Sequence, residues 1–358
     1  MTRSVAIVGA AGSCGRQLAV QLLDREVLDP SARLQLVAHY GGASEYELHG
    51  LRADLRDAFA DRAPTIELVI RPEDVNAEIF VMLAGRTVPS DPRQNVDRMA
   101  LARANHSVFS MYANEFARRG DNAPLVIVQS NPVELGVQTF ADAIGRHKVI
   151  GAGSYSDTLR FRREIADSVG VRRDAVRALM LGQHGDHLVP VWSSIEIDGY
   201  DDNAMRTWRD TQQSGRSVTN LPNEIVSYRA ECLEMVADGK IHEVFAKAAT
   251  FPVDISAAVK PFLVHTTAGH TTEIVTAHAV AEIVTVLVNH QEAVLPLQVL
   301  LEGEFADLHG VGGVPVLLGP NGWTEVVTPS LEADELEALQ AAFAAIRETN
   351  TAVLTGKS

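Results

Sequence analysis

The sequence predicts an α/β protein, with a doubly wound parallel sheet in its first half and an α+β domain in its second half. Two observations favour this fold class. Short, continuously apolar runs alternate with helical stretches as far as about residue 150, which is typical of a parallel sheet covered by helices on both faces. After residue 150 the helices become longer and mix with strands instead of alternating with them.

The first apolar run, Val5 to Val8, is followed by a glycine and indicates a buried strand. Leu18 to Leu23 then has the apolar spacing of a helix, and a polar, alanine-rich helix is predicted from about 95 to 119. The other predicted strands of this half are 34–37, 68–70, 79–83, 125–128 and 149–151.

In the second half, helices are predicted near 157–169, 222–248 and 271–290, with strands near 176–198 and 296–328. This mixture is what an α+β domain requires.

The last predicted helix is amphipathic. Its apolar face carries Leu336, Leu339, Phe343 and Ile346. Ser330 is the expected N-cap, because a serine hydroxyl accepts hydrogen bonds from the first turn of a helix.

Composition excludes several classes of protein. Hydrophobic residues make up 46% of the 358 residues and charged residues 22%, as in a globular protein with a substantial core. The net charge of −15, with acidic and basic residues interspersed, argues against nucleic acid or an anionic membrane as partner. No apolar run is long enough to span a bilayer. The two cysteines, Cys14 and Cys232, show no disulfide or metal spacing, so a cytoplasmic location is expected.

A glycine-rich turn follows the first strand and opens the first helix. In this position one glycine permits the tight turn, one lets the backbone approach a pyrophosphate, and one lets the helix pack on the strand. The N–H groups at the helix N-terminus then bind the phosphates. The turn, Gly9 to Gly15, therefore predicts a Rossmann dinucleotide-binding domain at 1–150, followed by a substrate-binding domain at 151–358. The alternative is a glycine-rich turn in a buried βα unit.

The end of the second predicted strand is unusual for such a site. Leu36 to Gly42 contains neither an acidic residue for the ribose hydroxyls nor an arginine for a 2′-phosphate, and Glu45 is the nearest carboxylate. NAD is the expected cofactor, with NADP left open.

A polar hexapeptide, Gly182 to His187, interrupts two apolar runs. It is either a polar turn or a segment that places an imidazole at a reaction centre. Histidine titrates near neutral pH, which suits His184 to proton transfer. His187 invites a metal interpretation, but cysteine and glutamate ligands at suitable spacing are absent, and no metal is expected.

Several more motifs occur in a fixed order and, with the glycine turn and the Gly182–Asp186 segment, resemble the lactate/malate dehydrogenase family along nearly the whole chain. These motifs are Ala84-Gly85; Arg98 with Asn105 seven residues later; Ser130-Asn131-Pro132-Val133; Gly151-Ala152-Gly153; Asp157-Thr158-Leu159-Arg160-Phe161-Arg162; Gly269-His270-Thr271; Leu301-Glu302-Gly303-Glu304; and Gly312-Gly313-Val314-Pro315.

The resemblance implies hydride transfer between a nicotinamide cofactor and a small 2-hydroxy or 2-oxo acid. It implies His184 as the proton donor and Asp157 as its partner carboxylate. Arg160 is implied to bind the substrate carboxylate as a bidentate fork, and Arg98 to polarise the substrate carbonyl from a closing lid. Asn131 is implied to hydrogen-bond the substrate oxygen.

The resemblance also places Thr271 near the substrate and implies a homodimer or homotetramer. The cofactor-binding residues that it implies are Gly9, Ala10, Ala11, Gly12, Ser13, Cys14, Gly15, Ala84, Gly85, Asn105, Gln129, Ser130 and Asn131.

The lid departs from the family pattern, because residues 86–98 form a longer loop than is usual. The position that discriminates substrates is occupied by Pro92, next to Arg93, with Arg86 further upstream. An arginine that reaches a second carboxylate favours malate and oxaloacetate. A lid without such an arginine favours lactate or a bulkier 2-hydroxy-monocarboxylate. Arg93 and the two alanines of the glycine turn favour malate.

Two other classes compete with this hypothesis. An NAD-dependent glycosidase would require a metal-binding Cys/His pair, which the sequence lacks. A non-catalytic binding module would be expected to have lost at least one of the implied catalytic side chains. All of them are present: Arg98, Asp157, Arg160 and His184.

Overall fold

The computed structural model describes residues 2–39, 41–87, 98–268 and 272–356. The first half forms a parallel sheet with the strand order β3-β2-β1-β4-β5-β6. Its strands are β1 (Val5–Val8), β2 (Arg33–Val37), β3 (Thr65–Val69), β4 (Ile79–Met82), β5 (Leu125–Val128) and β6 (Val149–Gly151). The strand order reverses between β1 and β4, and ligands bind at such a switch point, beyond the carboxyl ends of the strands.

Helices cover both faces of this sheet. They are α1 (Ser13–Asp24), α2 (Ala43–Ala58), α3 (Arg98–Ala117) and α4 (Val133–Ile144). One face of the sheet packs against leucines of α1, such as Leu18 and Leu22. The other face carries an aromatic cluster, in which the rings of Phe80 and Phe116 meet edge to face at 4.7 Å. Burial on both faces explains why the strands are continuously apolar.

Some predicted boundaries in this half are wrong. The third strand begins at Thr65 rather than at residue 68, because β3 pairs with the full length of β2 from Arg33↔Thr65 to Val37↔Val69. The predicted helix from 95 to 119 ends at Ala117, and its first residues lie outside the described part of the chain.

The second half adds antiparallel strands to the same sheet. β11 pairs with β6 through Gln298↔Gly151, and β12, β8 and β9 follow in that order, with β13 beside β12. The strands that join this sheet are β8 (Met180–Gly182), β9 (Leu188–Pro190), β11 (Ala293–Glu302), β12 (His309–Gly319) and β13 (Gly322–Val326). Two short strands, β7 (Val176–Arg177) and β10 (Glu196–Ile197), form a separate antiparallel pair. The sheet is therefore continuous across residue 150.

Helices surround these strands. They are α5 (Gly153–Val169), α6 (Asp202–Gln213), α7 (Leu221–Ala237), α8 (Ile241–Ala248), α9 (Val253–Ala268), α10 (Glu273–Val288) and α11 (Ala333–Leu354). The helix predicted at 222–248 is in fact two helices, because the chain turns at Gly239 with a φ of +76°. None of the helices in the described ranges is both long enough and apolar enough to cross a membrane.

The last helix has a different cap from the one predicted. Its N-cap is Glu332, not Ser330, because Glu332 and Glu335 form a capping box in which each side chain accepts from the other residue's backbone N–H. Leu339, Phe343 and Ile346 are buried on the apolar face as predicted, whereas Leu336 is half-buried.

Candidate active site

The polar hexapeptide forms the loop between β8 and β9. Gln183 N–H donates to the carbonyl of His187 at 3.0 Å, which closes the loop as a tight connection. Gly182 and Gly185 adopt φ values of +81° and +119°, a region that favours glycine. The segment is therefore a turn, and this turn carries His184.

His184 meets a carboxylate from another part of the chain. Its Nδ1–H donates to Oδ2 of Asp157 at 2.6 Å. Asp157 lies one turn into α5, and both side chains are largely buried. This bond fixes the tautomer and leaves Nε2 of the imidazole for a ligand.

A glycine allows α5 to approach this close. A Cβ atom on Gly153 would lie 2.7 Å from both Cβ and Cγ of His184, closer than real contacts allow. The first turn of α5 therefore packs directly against the histidine, and this contact helps to set the orientation of the ring.

Arg160 lies one turn after Asp157 on the same helix. Its Nη1 donates to Asp157 Oδ1 at 2.7 Å, and its Nη2 donates to Thr272 Oγ1 at 2.7 Å. Asp157 therefore joins the imidazole to the guanidinium through its two oxygens. Arg162, two residues further along α5, does not join this cluster. Its Nε donates to the carbonyl of Ala178 at 2.9 Å.

These charges shift one another's protonation. Burial lowers the pKa of His184, but the adjacent Asp157 carboxylate and, less strongly, Glu134 more than offset it and hold that pKa above its ordinary value. Burial raises the pKa of Asp157, but His184 and Arg160 outweigh it and hold that pKa below its usual range. The arrangement therefore favours an imidazolium beside an ionised carboxylate.

Glu134 is a site residue that sequence reasoning misses. It lies in the first turn of α4, and its Oε1 accepts from the backbone N–H of His184 at 2.7 Å. The available signal is an acidic residue directly after Asn131-Pro132-Val133 at the start of an apolar helix. Nothing in the local pattern connects that residue with the His184 loop.

Asn131 lies beyond the end of β5, beside the end of β4. Asn105 joins the two strand ends, because its Nδ2 donates to the Asn131 carbonyl at 2.7 Å and its Oδ1 accepts from Arg86 N–H at 2.7 Å. Gly85 packs against the same amide, since a Cβ there would lie 3.1 Å from Asn105. Ser130 Oγ donates to the Ala84 carbonyl at 2.6 Å. The side chains of Asn105 and Ser130, both implied to bind the cofactor, are thus held in place by backbone groups at this edge.

The glycine turn has the close approaches that its sequence predicts. Gly9 has a φ of +82°, and a Cβ on it would lie 2.8 Å from Ala84 N. A Cβ on Gly15 would lie 2.4 Å from the Gly9 carbonyl. Gly12 is the N-cap of α1 and supplies no side-chain hydrogen bond to the helix end, so this terminus is suited to a phosphate. Ala10 and Ala11 are buried, while Ser13 is exposed and Cys14 half-buried.

Two further observations concern the cofactor. Gln129 is buried, and its Oε1 has no hydrogen-bond partner among the described residues, which suits a donor from a ligand. Beyond the end of β2, the Glu45 carboxylate accepts from Gly41 N–H at 2.7 Å. That carboxylate therefore holds the turn before α2.

Some predicted residues cannot be placed. Arg93, Pro92 and Thr271 lie outside the described residues, and so does the side chain of Arg98. Thr272, next to Thr271, is the residue that contacts Arg160. Within the described ranges, no group of three or more His, Cys, Asp or Glu side chains is arranged to hold a metal ion.

Comparison with known proteins identifies the family. The family described as "lactate/malate dehydrogenase, NAD binding domain" matches residues 3–151, and "lactate/malate dehydrogenase, alpha/beta C-terminal domain" matches residues 263–354. An L-2-hydroxycarboxylate dehydrogenase (NAD(P)(+)) of Methanocaldococcus jannaschii is 28% identical over 94% of this chain and 94% of its own length. A malate dehydrogenase of Methanothermobacter thermautotrophicus is 28% identical over 98% of this chain and 97% of its own.

The fold agrees with these matches. The crystal structure of Cryptosporidium parvum malate dehydrogenase covers 99% of this chain and is itself covered completely, with a TM-score of 0.75 at 21% identity. This likeness confirms the predicted fold class. The two family matches together cover more than half of the chain, in the order that the motifs predict. The chain therefore belongs to the lactate/malate dehydrogenase family and is an NAD-linked oxidoreductase of the malate/lactate type.

Proposed function

We propose that the protein is an NAD-dependent malate dehydrogenase, in which His184, Asp157 and Arg160 act together on the substrate. The observation that carries this proposal is the pair of 2.6 and 2.7 Å bonds by which Asp157 joins the imidazole to the guanidinium. That geometry suits a 2-oxo acid, which has a carbonyl next to a carboxylate. The imidazolium of His184 would give a proton to the carbonyl, and the guanidinium of Arg160 would bind the carboxylate. The name of the Methanothermobacter relative and the arginines of the lid support malate as the substrate.

In the direction of reduction, bound NADH would supply the hydride for C2 of the oxo acid. His184 donates its Nε2 proton to the carbonyl oxygen, and the hydroxy acid results. Asp157 stabilises the imidazolium before this step and keeps the ring in place after it. Arg160 binds the 1-carboxylate, and Asn131 and Arg98 act on the reacting oxygen. Oxidation of malate uses the same atoms in reverse, with neutral His184 as the base.

The cofactor would lie across the carboxyl ends of β1, β4 and β5. The turn from Gly9 to Gly15 and the N-terminus of α1 would hold its pyrophosphate. The unpaired Oε1 of Gln129 would accept a hydrogen bond from it. We assign cofactor binding to residues 1–150 and substrate binding to residues 151–358. The absence of an acidic residue in Leu36 to Gly42 leaves room for NADP, as the name of the Methanocaldococcus relative allows for that protein.

A second candidate is a dehydrogenase of lactate or a bulkier 2-hydroxy-monocarboxylate. It is favoured by Pro92 at the discriminating position of a longer lid and by the name of the Methanocaldococcus relative. Both candidates use the same proton donor and differ only in the group that meets the substrate side chain.

The deciding experiment measures oxidation of NADH, and in parallel of NADPH, with oxaloacetate, pyruvate and bulkier 2-oxo acids. We expect the highest kcat/KM with oxaloacetate and NADH. A preference for pyruvate or a bulkier acid would replace malate with the second candidate. Loss of turnover with every 2-oxo acid, in a protein shown to be folded, would refute the proposed function.

We also propose a homo-oligomer in the cytoplasm. A cleft of about 720 Å³ lies between α1 and α10, and Val20 and Ile274 line it with exposed apolar side chains. A second copy of the chain is the expected occupant. Light scattering of the purified protein should give a multiple of the chain mass, and Ile274→Glu should reduce it. The cytoplasm is proposed from the sequence, because the spacing of its two cysteines indicates no disulfide framework.

A further inference from the structure

We propose that Glu134 is a positioning residue for His184, a second buried carboxylate that fixes the backbone of the proton donor and stabilises its charged form. The inference rests on the proposed role of His184 as proton donor. It assigns a function to a residue that touches neither substrate nor cofactor in the proposed reaction.

The first support is direct contact. Glu134 is 3% exposed, and its Oε1 accepts from His184 N–H at 2.7 Å. A carboxylate therefore binds the backbone of the same residue whose ring is bound by Asp157. The two carboxylates hold His184 from two sides, Asp157 through Nδ1 and Glu134 through the peptide.

The second support is the frame around Glu134. Gln298 of β11 donates from Nε2 to Glu134 Oε1 at 3.4 Å and to Ser154 Oγ at 3.0 Å. The Oε1 of Gln298 accepts from Ser154 N–H at 3.1 Å. Ser154 lies in the first turn of α5, the helix that carries Asp157. Gln298 therefore links Glu134, which binds the backbone of the His184 loop, to α5, which carries Asp157.

The third support concerns charge. The groups that contact the Glu134 carboxylate all donate: His184 N–H, Gln298 Nε2 and its own backbone N–H. Glu134 also lies in the first turn of α4, where the helix dipole favours a negative charge. Burial and, less strongly, the charge on Asp157 hold the pKa of this carboxyl above its ordinary value, and the hydrogen bond from His184 offsets only part of that rise. The donated hydrogen bonds and the helix N-terminus are the interactions that favour the ionised form.

The charged groups that face His184 in the described chain are Asp157 and Arg160 from α5 and Glu134 from α4. With both carboxylates ionised and Arg160 positive, protonation of His184 brings the cluster to neutrality. Removal of the charge on Glu134 should therefore make the imidazolium less stable, even though Asp157 stays in place.

The test uses Glu134→Gln, which keeps an acceptor oxygen and removes the charge, and Glu134→Asp, which keeps the charge and shortens the reach. The titration of the His184 ring is followed by NMR, with the signal assigned from its loss in His184→Asn. We expect Glu134→Gln to titrate at lower pH than wild type and Glu134→Asp to titrate close to wild type. On the high-pH limb, kcat/KM for oxo-acid reduction should fall on the order of tenfold in Glu134→Gln.

Glu335→Gln is the matched control. Glu335 is also a buried acid in the first turn of a helix that accepts a backbone N–H, but its donors are Ser193 and Glu332. It should leave the His184 titration unchanged. An unchanged titration in Glu134→Gln, or an equal shift in Glu134→Asp and Glu134→Gln, would overturn the proposal. Because the titration needs no turnover, that outcome is distinct from a wild type that reduces no 2-oxo acid, which would refute the function instead.

Discussion

His184 and Asp157 are separated by 27 residues in the chain, yet Nδ1 of one lies 2.6 Å from Oδ2 of the other. The contact exists because the β8–β9 loop and the first turns of α5 meet at Gly153, where no side chain intervenes. The proposed proton donor and the carboxylate beside it therefore come from two segments that neither local spacing nor composition connects.

We predict that His184→Asn removes nearly all turnover and leaves NADH affinity within a few-fold of wild type. Asparagine cannot supply the proton, and general acid–base catalysis contributes about 10²–10⁴ in rate. Steady-state kinetics and NADH fluorescence titration check the two parts. His187→Asn, in the same loop, is the control and should keep most of the activity. Turnover of His184→Asn within about threefold of wild type would contradict the role of His184.

We predict that Asp157→Asn shifts the pH dependence of the reaction. Reduction needs protonated His184, so its rate falls as pH rises through the raised pKa of that histidine. Without the carboxylate the fall should begin at lower pH, with a loss of roughly 10- to 100-fold near neutrality. Oxidation of the hydroxy acid needs the neutral imidazole. In the variant the rate of oxidation should therefore begin to rise at a lower pH than in wild type. Identical profiles for variant and wild type would exclude Asp157 as the stabilising charge.

The same pair links folding to pH. The folded-state pKa of His184 is raised, so its protonated form adds stability that is present below the unfolded pKa and lost as pH rises through the folded one. The folded-state pKa of Asp157 is lowered, so its contribution is present above the unfolded pKa and lost as pH falls through the folded one. Denaturant unfolding of Asp157→Asn should therefore show a weaker pH dependence than wild type on both sides.

We predict that Arg160→Lys weakens binding of every 2-oxo acid by roughly 10- to 100-fold and leaves NADH affinity unchanged. A lysine ammonium cannot reproduce the fork with which Arg160 contacts Asp157 and Thr272 and would hold a carboxylate. The measurement is KM for each acid beside NADH binding. Arg163→Lys on the exposed side of α5, where Arg163 pairs with Asp167, is the control. Equal KM values in Arg160→Lys and wild type would place Arg160 outside the substrate site.

We predict that an arginine of the lid sets the preference for a dicarboxylate. Arg93, or failing that Arg86, should meet the distal carboxylate of oxaloacetate, and a charge-assisted hydrogen bond of about 1.5–3 kcal/mol corresponds to roughly 10- to 100-fold in kcat/KM. Arg93→Gln and Arg86→Gln are compared on oxaloacetate and pyruvate. One variant should lose oxaloacetate activity selectively. Equal losses on both substrates in both variants would mean that these arginines only shape the lid.

The site shows where prediction from sequence succeeds and where it stops. The strands near Val5 and Leu125 are predictable because burial on both faces leaves a continuously apolar run. The roles proposed for His184, Asp157 and Arg160 rest on the resemblance of ordered motifs to a family. Glu134 could not be predicted as a site residue, because its contact with His184 joins residues 50 positions apart. That contact depends on where α4 begins relative to the β8–β9 loop.

Four helices, α2, α4, α6 and α9, were not predicted from the sequence, and one cap was misplaced. For α2, α4 and the cap the reason is local. α4 begins directly after Asn131-Pro132, a pair typical of a turn, so the local sequence favours a turn there. α2 is largely polar and includes Gly50, which lowers its helical propensity. Ser330 is a good N-cap by residue type, but the reciprocal bonds of Glu332 and Glu335 begin the helix two residues later.

The pairing of β11 with β6 restricts how this chain could be divided or recombined. A fragment ending after β6, at Gly151, would lack β11 and present β6 as an unpaired edge, with backbone groups open to pairing with other molecules. It would also lack Gln298 and Ser154. In the whole chain the Gln298 side chain donates hydrogen bonds to both Glu134 and Ser154 and so joins the two halves. A chimera that exchanges the nucleotide-binding half with a relative should therefore take β11 along with it, although β11 is encoded more than a hundred residues downstream.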